Sequence, residues 1–398
     1  MQSARELAFE TLLKIEKDNS YSNLSIAGVL KDNDLEDADK AFFTALVYGV
    51  IERKITLDYN ISLYLKQPIK KLKPEALIIL REGAYQLLFM DKIPSHAAIN
   101  ESVNLAKKRV NFASGLINAV LRRIDENKLK LPPEESDNYL EVKYSCPTDL
   151  INLFTGAYGI EKTIGILEHA NGPQKIYARD KEKGLIEIKD LNEITNKQTT
   201  MHIQDKASQL CCEALAPQPG ETIFDMCAAP GGKSFTIAEL MQNEGEIKAF
   251  DLYPQRVKLI EDGAQKLNIT IINAQVGDAS KYDESLGLAD RVLCDVPCAG
   301  LGDIGRKPEI RYKSIKDIEK LPPLQYNILV NSARYLKVYG TLVYSTCSLN
   351  PLENEEVVKR FLDAHDDFEL VEQRTIFPQE EDCDGFFYSV MKKNEARH

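Results

Sequence analysis

From residue 204 onward, apolar strand-like runs alternate with helical patterns, and this alternation limits the possible fold more than any other feature of the chain. We predict strands at 221–227, 245–251, 269–276, 289–295, 340–346 and 385–392. Helical patterns between them cover 233–241, 254–268, 323–337 and 352–364. Such alternation predicts an α/β domain with an open, mostly parallel, doubly wound sheet. Since these sheets bind ligands beyond the carboxyl ends of their strands, function is expected in the loops there.

The first third of the chain has apolar residues at helical spacing instead, which predicts a helical domain over 1–128. Pro74 suits the first position of a helix, and Ser95 suits an N-cap. The polar, proline-bearing stretch that follows predicts a linker at 129–145. A helical pattern and then short β-like runs predict a small α+β segment at 146–203, before the domain at 204–398.

The net charge of -11 is unevenly distributed along the chain. Residues 1–130 carry 20 basic against 17 acidic side chains, or +3, which leaves 30 against 44, or -14, for the remainder. A surface that binds a polyanion is therefore expected mainly in the N-terminal part. No apolar run of about 18 residues and no leader pattern occurs, so we expect no membrane span and a cytoplasmic protein. The eight cysteines form no CxxC pair, which argues against a zinc site and predicts free thiols.

The loop FDMCAAPGGKS (224–234) joins the first predicted strand to its helix. Gly231 and Gly232 allow backbone N–H groups to approach a ligand at the helix N-terminus. The sequence GGKS suggests a phosphate-binding loop, but that motif requires glycine at the position of Cys227. The loop therefore predicts either a ligand without a triphosphate or a tight turn that binds nothing.

Two acidic residues end the next two strands. Asp251 can accept hydrogen bonds from two ribose hydroxyls, although it could equally be an N-cap ahead of Pro254. Asp278, in VGDAS, is placed to accept a hydrogen bond from an adenine amino group, although such a residue often forms only a turn. Three successive strands with ligand-shaped loops favour a nucleoside-containing ligand over unrelated turns.

Two cysteines follow the fourth and fifth strands. RVLCDVPCAG (291–300) contains Asp295 and Cys298, and TLVYSTCSLNPLENEEVV (341–358) contains Cys347 just before a helix. A thiol near a helix N-terminus ionises more readily, and only the thiolate is a nucleophile. Either cysteine alone could be a buried spacer, but two at one crevice favour nucleophilic chemistry.

DMCAAPGGKS, DVPCAG and YSTCS, in this order, resemble the S-adenosylmethionine-dependent RNA cytosine-5 methyltransferases of the NOL1/NOP2/Sun type. IPSHAAINESVNLAKK (93–108) and ASGLINAVLRR (113–123) resemble the NusB-like RNA-binding domain of the bacterial members, which act on 16S ribosomal RNA. The resemblance covers nearly the whole chain. It implies an all-α NusB-like domain before a Rossmann-like catalytic domain, S-adenosylmethionine as cofactor and 16S rRNA as partner. We expect a monomer without a metal ion.

The resemblance also implies roles for individual residues. Cys347 matches the nucleophile that attacks C6 of the cytosine, Cys298 the cysteine that assists product release, and Asp295 the contact to N3 and the exocyclic amine. Asp251 would bind the cofactor ribose and Asp278 its adenine. The other residues implied to contact the cofactor are Cys227, Ala228, Ala229, Pro230, Gly231, Gly232, Lys233, Arg256 and Asp295.

Two departures from the family leave the substrate open. The segment before Gln204 is short for the family, and the chain contains no tryptophan. RKPEIRY (306–312) corresponds to the basic segment that follows the Pro-Cys loop in the family. A transfer RNA methyltransferase and a non-catalytic RNA-binding scaffold are the alternatives, and intact reactive loops argue against the scaffold.

Overall fold

The computed structural model describes residues 2–18, 22–189 and 201–395. The chain divides into two compact units, Met1–Leu153 with Lys307–Tyr312, and Phe154–Arg306 with Lys313–His398. Residues 190–200 of the predicted α+β segment lie outside the described residues.

The first unit is helical, as the NusB-like resemblance implies. Its helices are α1 (Ala4–Asp18), α2 (Ser22–Asp32), α3 (Asp37–Glu52), α4 (Lys54–Ser62), α5 (Pro74–Phe89), α6 (Ser95–Arg109), α7 (Ser114–Asn127) and α8 (Tyr139–Tyr144). Pro74 begins α5 as predicted. Ser95 is instead the first residue of α6, and its hydroxyl donates a hydrogen bond to Asp125 at 2.8 Å, so the N-cap prediction was wrong.

A short 3₁₀ turn, Pro308–Tyr312, also belongs to this helical unit, although it comes late in the sequence. The Tyr312 hydroxyl donates to the Ile51 carbonyl at 2.9 Å, and the Ser22 hydroxyl donates to Glu309 at 2.8 Å. Arg311 is only 2% exposed and donates to the Tyr144 carbonyl. Part of the RKPEIRY segment therefore packs within the helical unit, and Arg311 is buried there.

The second unit contains helices and two sheets. The helices are α9 (Thr148–Tyr158, which begins in the first unit), α10 (Ile160–Ala170), α11 (Lys206–Leu215), α12 (Gly232–Leu240), α13 (Pro254–Lys266), α14 (Ile315–Ile318), α15 (Leu321–Arg334), α16 (Glu355–Ala364) and α17 (Pro378–Glu381). The strands are β1 (Ile176–Asp180), β2 (Gly184–Ile188), β3 (Met201–Ile203), β4 (Thr222–Asp225), β5 (Glu246–Asp251), β6 (Ile272–Val276), β7 (Ala289–Asp295), β8 (Leu336–Thr346), β9 (Phe368–Ile376) and β10 (Phe386–Lys393).

The larger sheet has the order β6-β5-β4-β7-β8-β10-β9, and the smaller one the order β2-β1-β3. The strands from β6 to β8 are parallel, whereas β10 pairs antiparallel with both β8 and β9. The predicted fold class is confirmed. The β9 strand was missed because most of its residues are exposed at the sheet edge, so it lacks the apolar run of an interior strand.

The strand order places a switch point between β4 and β7. From β4 the chain continues outward to β5 and β6, then returns to β7 on the opposite side of β4. In open α/β sheets the crevice at such a point is the usual ligand site. Apolar clusters on either side of the sheet hold it rigid, one around Phe224, Tyr344 and Phe361 and the other around Ile223, Ile247 and Val343.

Candidate active site

A cavity of about 450 Å³ lies beyond the carboxyl ends of β4 to β8. Its lining includes the predicted residues Cys227, Ala229, Asp251, Arg256, Asp278, Asp295, Cys298 and Cys347. These residues come from five loops that are far apart in sequence. Parallel strands bring them together because their carboxyl ends share one edge of the sheet.

The loop after β4 is tied to its neighbours by backbone hydrogen bonds, from Met226 to Leu293 at 3.0 Å and from Ala228 to Phe250 at 2.7 Å. Gly231 has φ 109°, and a Cβ there would lie 2.4 Å from the Phe235 ring. Only glycine allows this turn without strain.

Among the described residues, the remaining predicted members of this loop do not line the cavity. Ala228 is buried beneath it, Pro230 is exposed, and Gly231 and Gly232 start α12. They shape the turn that presents Cys227 and Ala229.

Asp251 lies at the end of β5 and is 4% exposed. Its carboxylate accepts a hydrogen bond from the Tyr253 backbone N–H at 3.2 Å and lies 3.5 Å from the Arg256 guanidinium. Arg256 also donates to the Ala229 carbonyl at 3.1 Å, so it links the second loop to the first. Tyr253, and not Asp251, is the N-cap of α13, so the N-cap alternative was wrong.

Asp278 follows β6, in the loop after that strand. Its carboxylate accepts hydrogen bonds from the Ser280 hydroxyl at 2.6 Å and the Lys281 ammonium at 3.0 Å. These bonds lower the pKa of Asp278, so the side chain is a stable acceptor at neutral pH. The residue forms a turn and also lines the cavity.

Lys233 points across the loop to Asp295. Its ammonium lies 2.8 Å from one carboxylate oxygen, and the Ser345 hydroxyl donates to the other oxygen at 2.8 Å. Burial is the largest influence and would lower the pKa of Lys233, but the charge and hydrogen bond of Asp295, together with Cys211 and Cys212, raise the pKa above its usual value. Lys233 is therefore a charged donor that fixes the orientation of Asp295.

The two predicted cysteines lie side by side. Their sulfur atoms are 3.0 Å apart, and the Gly302 backbone N–H donates to the Cys347 carbonyl at 3.0 Å. The neighbouring Cys347 thiol, together with burial, raises the pKa of Cys298 well above its usual value. Cys298 therefore keeps its proton at neutral pH, and its S–H can be donated to Cys347.

The close packing of the Cys298 loop requires glycine. A Cβ on Gly302 would lie 1.7 Å from the Gly385 carbonyl oxygen, and the Gly385 N–H donates to the Gly302 carbonyl at 2.9 Å. The loop before β10 thus packs against the loop of Cys298. The sequence motifs did not indicate this contact.

Two buried polar residues of the site were not predicted. Asp225 accepts the Ser234 hydroxyl at 2.6 Å, and burial raises the pKa of Asp225 to about 7. Ser345 orients Asp295, as described above. Each is a polar residue at the carboxyl end of a mostly buried strand, and this position is a signal that could have identified both.

Within the described part of the chain, no group of three or more His, Cys, Asp or Glu side chains is arranged to hold a metal ion. In the same ranges, none of the helices combines the length and apolar content that crossing a lipid bilayer requires.

Comparison with known proteins gives consistent matches for both parts of the chain. The model of the 16S rRNA methyltransferase RsmB/F family matches residues 212–392, and that of the NusB family matches residues 2–126. The probable ribosomal RNA small subunit methyltransferase B of Bacillus subtilis strain 168 is 36% identical, over 98% of this chain and 99% of the relative. The Synechocystis protein with the same description is 35% identical over 99% and 100% of the two chains. The crystal structure of PH0851 superposes with a TM-score of 0.81 at 26% identity, covering 99% of each chain.

Proposed function

The chain belongs to the 16S rRNA methyltransferase RsmB/F family, and we propose that it transfers a methyl group from S-adenosylmethionine to C5 of a cytidine in 16S ribosomal RNA. The observation that carries this proposal is the pair of thiols 3.0 Å apart beside a cavity with acidic residues. C5 of cytosine is a weak carbon nucleophile, so the reaction needs a covalent catalyst. A cysteine at C6 provides one.

The cavity suits a cofactor that contains adenosine and carries no phosphate. Asp251 would accept hydrogen bonds from the ribose hydroxyls and Asp278 from the adenine amino group. Cys227 and Ala229 would face the methionine end, with Arg256 closing the ribose side. When bound, S-adenosylmethionine would supply a methyl group on a positively charged sulfur; the methyl carbon would take the electron pair of C5, and the electrons of the S–CH₃ bond would stay on the sulfur.

Cys347 is proposed as the nucleophile. Its thiolate forms a bond to C6, and the C5=C6 electrons move into the ring so that C5 can take the methyl group. Removal of the C5 proton then restores the double bond, the C6–S bond breaks, and its electron pair returns to the Cys347 sulfur.

Cys298 is proposed to receive the C5 proton. In the free protein the main cause of its raised pKa is the hydrogen bond with Cys347. That hydrogen bond weakens once the Cys347 sulfur is bonded to C6, so the Cys298 thiol then releases its proton to solvent more easily. A larger fraction of Cys298 is then present as the thiolate, which is the form that can accept the C5 proton.

Asp295 and Lys233 are proposed to hold the base. The Asp295 carboxylate would accept a hydrogen bond from the exocyclic amine of cytosine, beside N3. Negative charge develops on the ring when the thiolate adds. The Lys233 ammonium forms an ion pair with the Asp295 carboxylate, and from that position it can stabilise the charge. Together they supply an acceptor and a charged donor.

The proposed substrate is unstacked RNA, because C5 is out of reach within a stacked helix. The NusB-like part, assigned to residues 1–128, would bind the RNA backbone, while 204–398 perform the chemistry. One chain supplies both thiols and both cofactor carboxylates, which supports action as a monomer. Ribosomal RNA as substrate supports a cytoplasmic location.

Bisulfite sequencing of total RNA from cells with and without the gene tests the substrate. We expect one cytidine of 16S rRNA to lose its protection from conversion in the deletion strain and to regain it on complementation. Complementation with Cys347→Ala should not restore it. Loss of protection at a tRNA position, with 16S rRNA unchanged, would identify the substrate as tRNA and refute the proposal.

A further inference from the structure

A single buried carboxylate joins the loops of the two cysteines. Glu353 is fully buried, and one of its oxygens accepts the backbone N–H of Ala299 at 2.8 Å. The other oxygen accepts the Ser348 hydroxyl at 2.6 Å. Ala299 follows Cys298 in the chain, and Ser348 follows Cys347. One side chain therefore holds the residue after each thiol.

A helix side chain completes this arrangement. The Gln325 amide on α15 donates to Glu353 at 2.9 Å and to the Pro297 carbonyl at 2.9 Å. The Tyr344 hydroxyl donates to the backbone carbonyl of Glu353 at 2.6 Å. The Pro-Cys-Ala loop is thus bonded on both sides of its cysteine, through a glutamate that β8 and α15 keep in place.

Burial of a carboxylate is costly unless its oxygens accept several hydrogen bonds. Glu353 accepts bonds from Ala299, Gln325 and Ser348, and such bonds to an ionised acceptor are shorter and stronger than neutral ones. An apolar side chain would fill this space without that cost, so a side chain with several hydrogen-bond acceptors at this point calls for a function. The Glu353 carboxylate also adds to the raised pKa of Cys298, after the Cys347 hydrogen bond and burial.

We propose that Glu353 is a positioning residue for methyl transfer, which sets the distance between the Cys298 and Cys347 sulfur atoms by bonding Ala299 and Ser348. It does not line the cavity formed by the described residues, so it acts through those two loops. The catalytic consequence rests on the proposed function. The thiol geometry does not, because it can be measured without RNA.

The experiment uses the full-length chain with Glu353→Ala, Glu353→Gln and the control Glu356→Ala. Glu356 is an exposed carboxylate on the adjacent helix α16. Phenylarsine oxide measures the thiol pair directly, since it forms two As–S bonds with neighbouring thiols and releases water. Cys298→Ala sets the background of this reaction.

For Glu353→Ala we expect capture by the arsenical to slow at least about tenfold and kcat for RNA methylation to fall about 100-fold, as for reacting groups displaced by roughly 1 Å. The KM for RNA and the Kd for S-adenosylmethionine should stay within about threefold, because Glu353 touches neither site. Glu353→Gln should keep most activity, since its amide oxygen can accept from Ala299 while its NH₂ donates to Ser348. The control should match the wild type.

Glu353→Ala protein that is folded and yet captures the arsenical at the wild-type rate, or keeps kcat within about threefold, would overturn the inference. If that variant does not fold, Ser348→Ala replaces it, because it removes one of the two loop contacts and retains the glutamate. Unchanged capture in Ser348→Ala would then overturn it. A third outcome separates the two proposals. If capture of the arsenical slows in Glu353→Ala but the wild-type protein does not methylate RNA, the proposed function is refuted and the positioning role of Glu353 stands.

Discussion

Replacing Asp251 tests whether the cavity binds a nucleoside as its carboxylates suggest. Asp251 is 4% exposed at the end of β5, and its fixed carboxylate would accept two ribose hydroxyls. A hydrogen bond to a charged group contributes about 1.5–3 kcal/mol, and each lost bond to a ribose hydroxyl is partly replaced by water in the enlarged cavity. We therefore expect Asp251→Ala to weaken S-adenosylmethionine binding by about 2 kcal/mol, which is about 30-fold in Kd.

The structure limits other contributions to this loss. Arg256, the charged partner of Asp251, is about half exposed, so water can solvate it after the substitution. Asp251→Asn keeps one acceptor oxygen and should lose about half as much free energy as Asp251→Ala. Asp262→Ala removes an exposed carboxylate from α13 and should leave the Kd unchanged.

Isothermal titration calorimetry with S-adenosylmethionine measures these affinities. The Tyr253 N–H also loses its acceptor in Asp251→Ala, so circular dichroism and thermal unfolding should accompany the titration. A Kd within about threefold of wild type in a folded Asp251→Ala protein would refute the assignment of β5 to the ribose.

Three further predictions concern the thiols, the RNA and pH. Cys298→Ala should accumulate a covalent RNA adduct on denaturing gels, while Cys347→Ala and the double variant form none; an adduct in Cys347→Ala alone would reverse the two roles. Replacing the three exposed lysines within 70–73 by glutamine should weaken RNA binding and reduce the slope of log K against log salt by up to about 2, and an unchanged slope would place the RNA surface elsewhere. Burial lowers the pKa of His202 from 6.5 to about 4, so the unfolded chain binds the extra proton first as pH falls. The histidine should therefore destabilise the fold by up to about 3 kcal/mol between pH 6.5 and 4, at 1.36 kcal/mol per pKa unit. In urea unfolding, His202→Gln should lose less free energy of unfolding between pH 6.5 and 4 than the wild type. An equal decrease in the two proteins would show that His202 is not its cause.

The order of strands, loops and helices after residue 204 could be predicted because each depends on neighbouring residues. Short stretches rich in apolar residues indicated β4, β5 and β7, and an aspartate marked where each ended. Parallel strands place these ends at one edge of the sheet. Motifs that are far apart along the chain could therefore be predicted to lie close together in space. The carboxylates and thiols lining the cavity were therefore predictable, whereas Leu324 and Ile328 of α15 were not.

The contacts that arrange those residues come from the tertiary structure. Lys233 and Asp295 are 62 positions apart, and Ala299 and Glu353 are 54 apart, so no local pattern could pair them. Likewise, β9 is identified by its pairing with β10, and 307–312 by packing within the helical unit. A buried charge is stable only where donors from distant segments converge on it, and that convergence exists only once the chain has folded.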